Sequence, residues 1–188
     1  MTKKEVRLYC KKLRAAIPEQ RLLRLQDLLL IQFQQLQLPF LNYIHSYLPL
    51  DHHNEVGPEP LLNSLLFSNP GLQIAVPKII SDTTMQHLLI SDSTLFQQNQ
   101  FGIPEPIDGE IVAPELFDLV LVPLIGFDKK GNRVGFGKGF YDRFLVQCRT
   151  DCIVVGLSFL EAVDQIDDID EWDIPLDYCV TPNKIYAF

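Results

Sequence analysis

Leu119-Val-Leu-Val122 and Ile153-Val-Val-Gly-Leu157 are the stretches on which the fold turns. Neither run is broken by a charged or polar side chain. A strand with one wet face alternates apolar and polar residues, so these two must be covered on both faces. Strands of that kind belong to a parallel sheet held between layers of helix. Working outward, residues 43–48, 72–76 and 87–90 read as further strands, and the first run extends back to residue 116. Helices are expected between them. Residues 3–15 form a basic one, and Pro18 sits where a second begins, running to Gln37. Leu22, Leu25, Leu29, Phe33 and Leu36 recur at three and four along it, an apolar stripe. Residues 58–67 and 140–147 supply two more helices. Alternation of this kind predicts an α/β fold: an open three-layer α/β/α sandwich with a mostly parallel, Rossmann-like sheet, as one domain over residues 1–188. Ligands of such sheets bind beyond the carboxyl ends of the strands, so the loops after Leu48 and Val122 are the places to look.

Composition narrows the function. The chain has 188 residues, 47% of them hydrophobic, and can bury roughly 70% of its unfolded surface without help from disulfides or metal. Sixteen Lys and Arg against twenty-four Asp and Glu give a net charge of −8, which argues against a nucleic-acid binder. An anionic ligand must then be caught by local positive groups. Eight of the sixteen basic residues precede Asp27, six of them on the first helix. Cys10, Cys148, Cys152 and Cys179 form no CxxC pair and read as free thiols of a reducing, cytoplasmic compartment. No apolar segment follows the N-terminal charges, and residues 28–50 are too polar to span a membrane.

The chemistry is concentrated in Val122-Pro-Leu-Ile-Gly-Phe-Asp-Lys-Lys-Gly-Asn-Arg-Val-Gly-Phe-Gly-Lys-Gly-Phe-Tyr-Asp-Arg143. Gly135, Gly137 and Gly139 alternate just before a helix. Backbone amides of such a loop can form an anion-binding nest, with Arg133 and Lys138 adding positive charge. Those features meet the needs of a polyphosphate, although a plain connector with an acidic first helical turn at Asp142 has the same residues. Neither a Walker loop nor a dinucleotide fingerprint fits the spacing.

Pro123-x-x-Gly-Phe-Asp128, Gly131-Asn-Arg133 and Gly135-x-Gly-x-Gly-aromatic-Tyr-Asp-Arg143 resemble the signature of the 5-formyltetrahydrofolate cyclo-ligase family. Lys3-Lys-Glu-Val-Arg7, Leu13-Arg14, residues 47–56, Val76-Pro-Lys78, Gly102-Ile-Pro-Glu-Pro106, Asp173 and Val180-Thr181 are similar to further family segments in the same order. Phe136 and Phe140 stand where tyrosines are common, and Gly57-Pro58 replaces an Asp-Thr.

The resemblance implies conversion of 5-formyltetrahydrofolate to 5,10-methenyltetrahydrofolate with ATP as co-substrate and magnesium as cofactor. It implies ATP contacts at Lys3, Lys4, Arg7, Arg133, Gly135, Phe136, Gly137, Lys138, Gly139, Phe140 and Tyr141. Of these, Lys138, Arg133 and Tyr141 are expected at the reacting atoms. The folate side falls to Leu50, Glu55, Phe101, Ile103 and Tyr141, and the metal to Asp142 and Asp173. His52 and His53 are read as exposed loop residues. The partners expected are these small molecules alone, with no nucleic acid and no membrane, bound by a monomer.

Overall fold

The computed structural model describes residues 1–50, 54–99 and 102–188. Helices α1 (Lys3–Ala15) and α2 (Glu19–Phe33) precede strand β1 (Tyr43–His45). Helix α3 (Glu59–Ser68) leads into β2 (Gln73–Ile79) and β3 (Met85–Ile90), followed by the small hairpin β4 (Phe96–Gln98) and β5 (Pro104–Pro106). Then come β6 (Leu119–Val122), the hairpin β7 (Gly126–Phe127) and β8 (Arg133–Val134), and α4 (Phe140–Leu145). Strands β9 (Ile153–Leu157), β10 (Tyr178–Val180) and β11 (Ile185–Ala187) complete the chain.

Among the described residues, seven strands form one sheet in the order β11-β10-β9-β6-β1-β2-β3. The five inner strands are parallel, and both edge pairings, β2 with β3 and β10 with β11, are antiparallel. The expected open, mostly parallel sheet is therefore present. From β1 the chain adds β2 on one side, then returns to lay β6, β9 and β10 on the other. The strand order thus reverses between β1 and β6, where a crevice opens at their carboxyl ends.

The two diagnostic runs lie side by side at the centre, Leu119 opposite Ile153 and Val122 opposite Gly156. Their side chains alternate between two cores. Leu119 and Leu121 pack with Leu29 and Phe33 of α2 and Leu61 and Leu65 of α3. Val120 and Val122 pack on the other face with Phe117, Phe144 and Leu145. Each such side chain, fully buried, contributes roughly 1.5–3 kcal/mol.

Helix α1 lies apart from these two cores. Val6 and Cys10 pack against Ile125, Val134 and Ile166, on the β7–β8 hairpin. Gly126 permits this approach: a Cβ there would stand 2.7 Å from Cys10 Sγ and 2.9 Å from Val6 Cγ1. A capping box starts the helix, with the Glu5 amide donating to Thr2 Oγ1 and the Thr2 amide to Glu5 Oε2. Helix α2 ends at Phe33, short of Gln37, because Leu36 closes a tight turn onto the Phe33 carbonyl at 3.0 Å. Leu36 and Leu38 still reach the core from that turn, so the stripe outlasts the helix. No helix among the described residues is long and apolar enough to cross a membrane.

Candidate active site

Beyond the carboxyl ends of β1, β2 and β6 lies a cavity of about 490 Å³. Both searched loops supply its wall: Tyr47, Leu48 and Leu50 follow β1, and Pro123 follows β6. Apolar walls come from Pro77 and Ile79 of β2, Met85 of β3, and Ile103 and Pro104 before and within β5. Opposite them stand the first turns of α1 and the glycine-rich loop, with Lys3, Arg7, Gly135, Phe136, Gly137 and Lys138. Four cations, Lys3, Arg7, Arg133 and Lys138, thus share the wall with four acids, Glu55, Glu105, Asp142 and Asp173.

The glycine-rich loop is shaped by its own backbone. Gly137 and Gly139 have φ of +94° and +67°, a region that costs other residues strain. Gly139 is also the residue from which α4 starts. Arg7 Nε donates to the Gly135 carbonyl at 2.8 Å, so helix α1 clamps the loop that it faces. Asp128 and Asn132, though part of the same motif, do not reach the cavity. The fully buried Asp128 carboxylate accepts from the amides of Lys130, Asn132 and Ile166 and from Asn132 Nδ2, and ties the β7–β8 turn together.

Two ion pairs organise the polar end. Arg133 Nη2 donates to Asp142 Oδ1 at 2.7 Å, while Nη1 donates to the Ile174 carbonyl. Burial pulls the Arg133 guanidinium below its usual range, and the Asp142 carboxylate opposes that pull. Lys3 Nζ pairs with Asp173 Oδ2, which also accepts from the Asp170 amide at 2.6 Å. Asp142 Oδ1 further accepts from the amide of Ile174, the neighbour of Asp173, so both carboxylates share one stretch of wall. On each, one oxygen remains without a hydrogen bond among the described residues: Oδ2 of Asp142 and Oδ1 of Asp173. Among the described residues no group of three or more His, Cys, Asp and Glu side chains is arranged to hold a metal. Two carboxylate oxygens nevertheless fit magnesium, which takes few protein ligands and completes its shell with phosphate and water.

At the other end, Glu55 Oε2 accepts from the Leu50 amide at 2.9 Å. The Tyr47 hydroxyl donates to the Val56 carbonyl at 2.7 Å, which fixes the far side of the same loop. Tyr141 is turned inward, and its buried hydroxyl has no hydrogen-bond partner among the described residues. Burial, and next the negative charge of Glu55, push the Tyr141 phenol well above its ordinary range, so it stays protonated. It remains a donor available to a bound molecule.

Most expected site residues therefore meet in one place: Lys3, Arg7, Leu50, Glu55, Ile103, Arg133, the loop from Gly135 to Lys138, Phe140, Tyr141, Asp142 and Asp173 all line the cavity. Lys4 does not; it lies exposed on the next face of α1. Gly139 shapes the loop without lining it. Arg14 departs from the expected positive surface of α1, being buried with 5% exposure. Phe101, His52 and His53 lie outside the described residues.

Sequence reasoning missed Glu105. It is buried, its Oε1 accepts from the Ile79 amide at 2.9 Å and Asn99 Nδ2 at 2.8 Å, and it faces the cavity from β5. The available signal was a carboxylate set between two prolines. It also missed a buried imidazole pair below Tyr141. His45 and His87 lie 4.9 Å apart, with His45 5.8 Å from the Tyr141 ring and His87 stacked on Phe144 at 4.0 Å. Both are neutral, His87 pulled down to about 4 by burial and His45 well below its ordinary value by burial and by His87.

The chain was compared with known proteins. The sequence model of the 5-formyltetrahydrofolate cyclo-ligase family matches residues 1–182. A 5-formyltetrahydrofolate cyclo-ligase of Haemophilus influenzae is 35% identical over 127 residues, covering 65% of this chain and 67% of that protein. One of Escherichia coli is 30% identical over 143 residues, covering 74% and 78%. The solved 5,10-methenyltetrahydrofolate synthetase of Aquifex aeolicus superposes with a TM-score of 0.80 at 29% identity, over 100% of this chain and 93% of that one. The synthetase of Mycoplasma pneumoniae gives 0.77 at 25%, over 97% and 99%.

Proposed function

This chain belongs to the 5-formyltetrahydrofolate cyclo-ligase family, and from that premise we propose that its cavity joins 5-formyltetrahydrofolate to ATP and releases 5,10-methenyltetrahydrofolate, ADP and phosphate. The observation that carries this reading is the polarity of the cavity. One end is apolar and closed by Glu55, the other is a glycine-rich loop faced by cations.

A formyl amide is a poor electrophile, and its oxygen is a poor leaving group. Transfer of the γ-phosphoryl group to the formyl oxygen, with ADP leaving, corrects both faults. N10 then attacks the formyl carbon, the C–O bond breaks with departure of phosphate, and the N10 proton is lost. No covalent bond to the protein is required, so the residues position and stabilise. Lys3, Arg7 and the loop amides hold the nucleotide phosphates, and Lys138 meets the oxygens of the group in transfer. Arg133 adds a fixed positive charge that its own hydrogen bonds keep in place. Leu48, Leu50, Ile79, Met85 and Ile103 cover the flat folate rings, and Glu55 accepts from the donor edge of the pterin. Tyr141, protonated and unpartnered among the described residues, donates where folate and phosphate meet.

Asp142 and Asp173 would hold magnesium through their open oxygens; bound there, the ion neutralises charge on the phosphates. The same reading is of one domain, acting as a monomer on small molecules in the cytoplasm.

The test is direct. With purified protein, the methenyl chromophore should grow in only when ATP, a divalent ion and the 5-formyl isomer are all present. Equal product without ATP, or from the 10-formyl isomer, overturns the reading.

A further inference from the structure

Arg14 contributes nothing to the cavity wall, yet it occupies a costly position. It lies in the last turn of α1 with 5% exposure. Nη1 donates to the Leu124 carbonyl at 3.1 Å, but Nε and Nη2 are buried and have no hydrogen-bond partner among the described residues. A guanidinium left so short of partners weakens a fold; at a position that only packs, an apolar side chain of similar volume does better. The groups that share its surroundings are Glu55, Tyr47 and Cys10, and Glu55 is the acid among them. A second link runs through the backbone. Asn54 Nδ2 donates to the Arg14 carbonyl at 3.0 Å, and Asn54 has a φ of +47°, so the chain turns sharply just before Glu55. From the other side the Leu50 amide holds Glu55 Oε2.

We propose that Arg14 is the positioning residue for Glu55: its backbone carbonyl anchors the turn that presents the carboxylate, and its buried positive charge keeps that carboxylate ionised at the folate end of the cavity. The inference rests on the assignment of Glu55 to the pterin for its functional meaning, but not for its physical content. Other groups face Glu55 as well. Tyr47, from the loop after β1, and Tyr141, from α4, both stay protonated through burial and the charge of Glu55. Glu105 and Arg133 line the same cavity from β5 and β8. Arg14 is the cation buried on the α1 side, in a medium where its charge is weakly screened. A carboxylate that must accept from a pterin's donor edge is useful only as the anion.

The experiment has two arms, each using the whole chain with Arg14→Met and with Arg14→Gln. The second variant keeps a donor for the Leu124 carbonyl and serves if the first fails to fold. In the first arm the side-chain carboxyl of Glu55 is titrated by carbon NMR in the free protein. Loss of the charge should raise its midpoint by at least about one pH unit. In the second arm, affinity for 5-formyltetrahydrofolate and for a non-hydrolysable ATP analogue is measured from pH 5 to pH 8. The pH below which folate binding weakens should move upward by the same amount, while nucleotide affinity stays within about twofold. A folded variant with an unmoved Glu55 midpoint, or equal losses for both ligands without a shift in pH dependence, overturns the proposal. A moved midpoint with unchanged folate binding instead supports the Arg14–Glu55 link and sinks the assignment of Glu55 to the pterin.

Discussion

Lys138 and Asp142 stand four residues apart on either side of Gly139, and the proposed chemistry gives them different work. Lys138 meets charge that grows during phosphoryl transfer, so Lys138→Ala should lower turnover at saturating ATP by about 10²-fold or more, the usual worth of one such donor. Asp142→Asn removes a metal-facing oxygen and weakens the hold on Arg133. It should raise the magnesium concentration needed for half activity, with partial rescue by excess metal. A magnesium titration of both variants separates the two roles; identical curves would remove the distinction. A second residue-scale expectation concerns His87. In the folded protein it stays neutral down to about pH 4, whereas an unfolded histidine takes a proton near pH 6.5. Between those values the unfolded chain binds the extra proton, so stability falls as pH drops through that window, by up to about 1.4 kcal/mol per pH unit for this group. His45 adds to the same slope in the same direction. His87→Phe, which keeps the stack on Phe144, should make the unfolding free energy less steep between pH 6.5 and 4. An unchanged slope, measured by urea unfolding across that range, would count against the buried neutral pair.

Among the elements, α1 and the β7–β8 hairpin act as one unit, since the helix that carries Lys3 and Arg7 rests on the hairpin that leads into the glycine-rich loop. Gly126 is the contact through which that unit can be tested. Gly126→Ala puts a methyl group into the space of Cys10 Sγ and Val6 Cγ1 and must lift α1 or force both side chains aside. Overpacking of this kind costs about 1–3 kcal/mol. It should also weaken nucleotide binding more than folate binding, because Lys3 and Arg7 move with the helix. Thermal unfolding and separate ligand titrations check both parts; wild-type nucleotide affinity in a destabilised protein would uncouple the helix from the loop. The elements also differ in how plainly the sequence announced them. Strands β6 and β9 are unmistakable because both faces of each are buried, which leaves no place for a polar residue. Helix α1 was read to its true ends from a capping residue and a basic stripe. Strands β7 and β8 have two residues each, and β4, β5, β10 and β11 have three. No periodicity can be detected over such lengths, and pairing across the sheet, not local pattern, makes them strands.

For the molecule as a whole, the position of the site followed from the order of strands and helices, since a sheet that reverses its order at β1 and β6 opens there. The loop glycines and cations were legible as types. Arg14, Glu105 and the two histidines were not, because a sequence shows that a residue is charged but not that the chain folds it inward. Nor does it show the pairing of Lys3 with Asp173 and of Arg133 with Asp142. That pairing bears on how a protein with a net charge of −8 accepts a polyanion. The cavity behaves as an ion exchanger already loaded with its own carboxylates. A triphosphate settles there by trading places with them, so much of its attraction to the cations goes into displacing the resident anions. A monoanion, able to replace one carboxylate at most, leaves the other pair closed. The wall then discriminates by the number of charges a ligand brings at once, and the carboxylates set loose by the exchange are the very oxygens turned toward any ion that arrives with it.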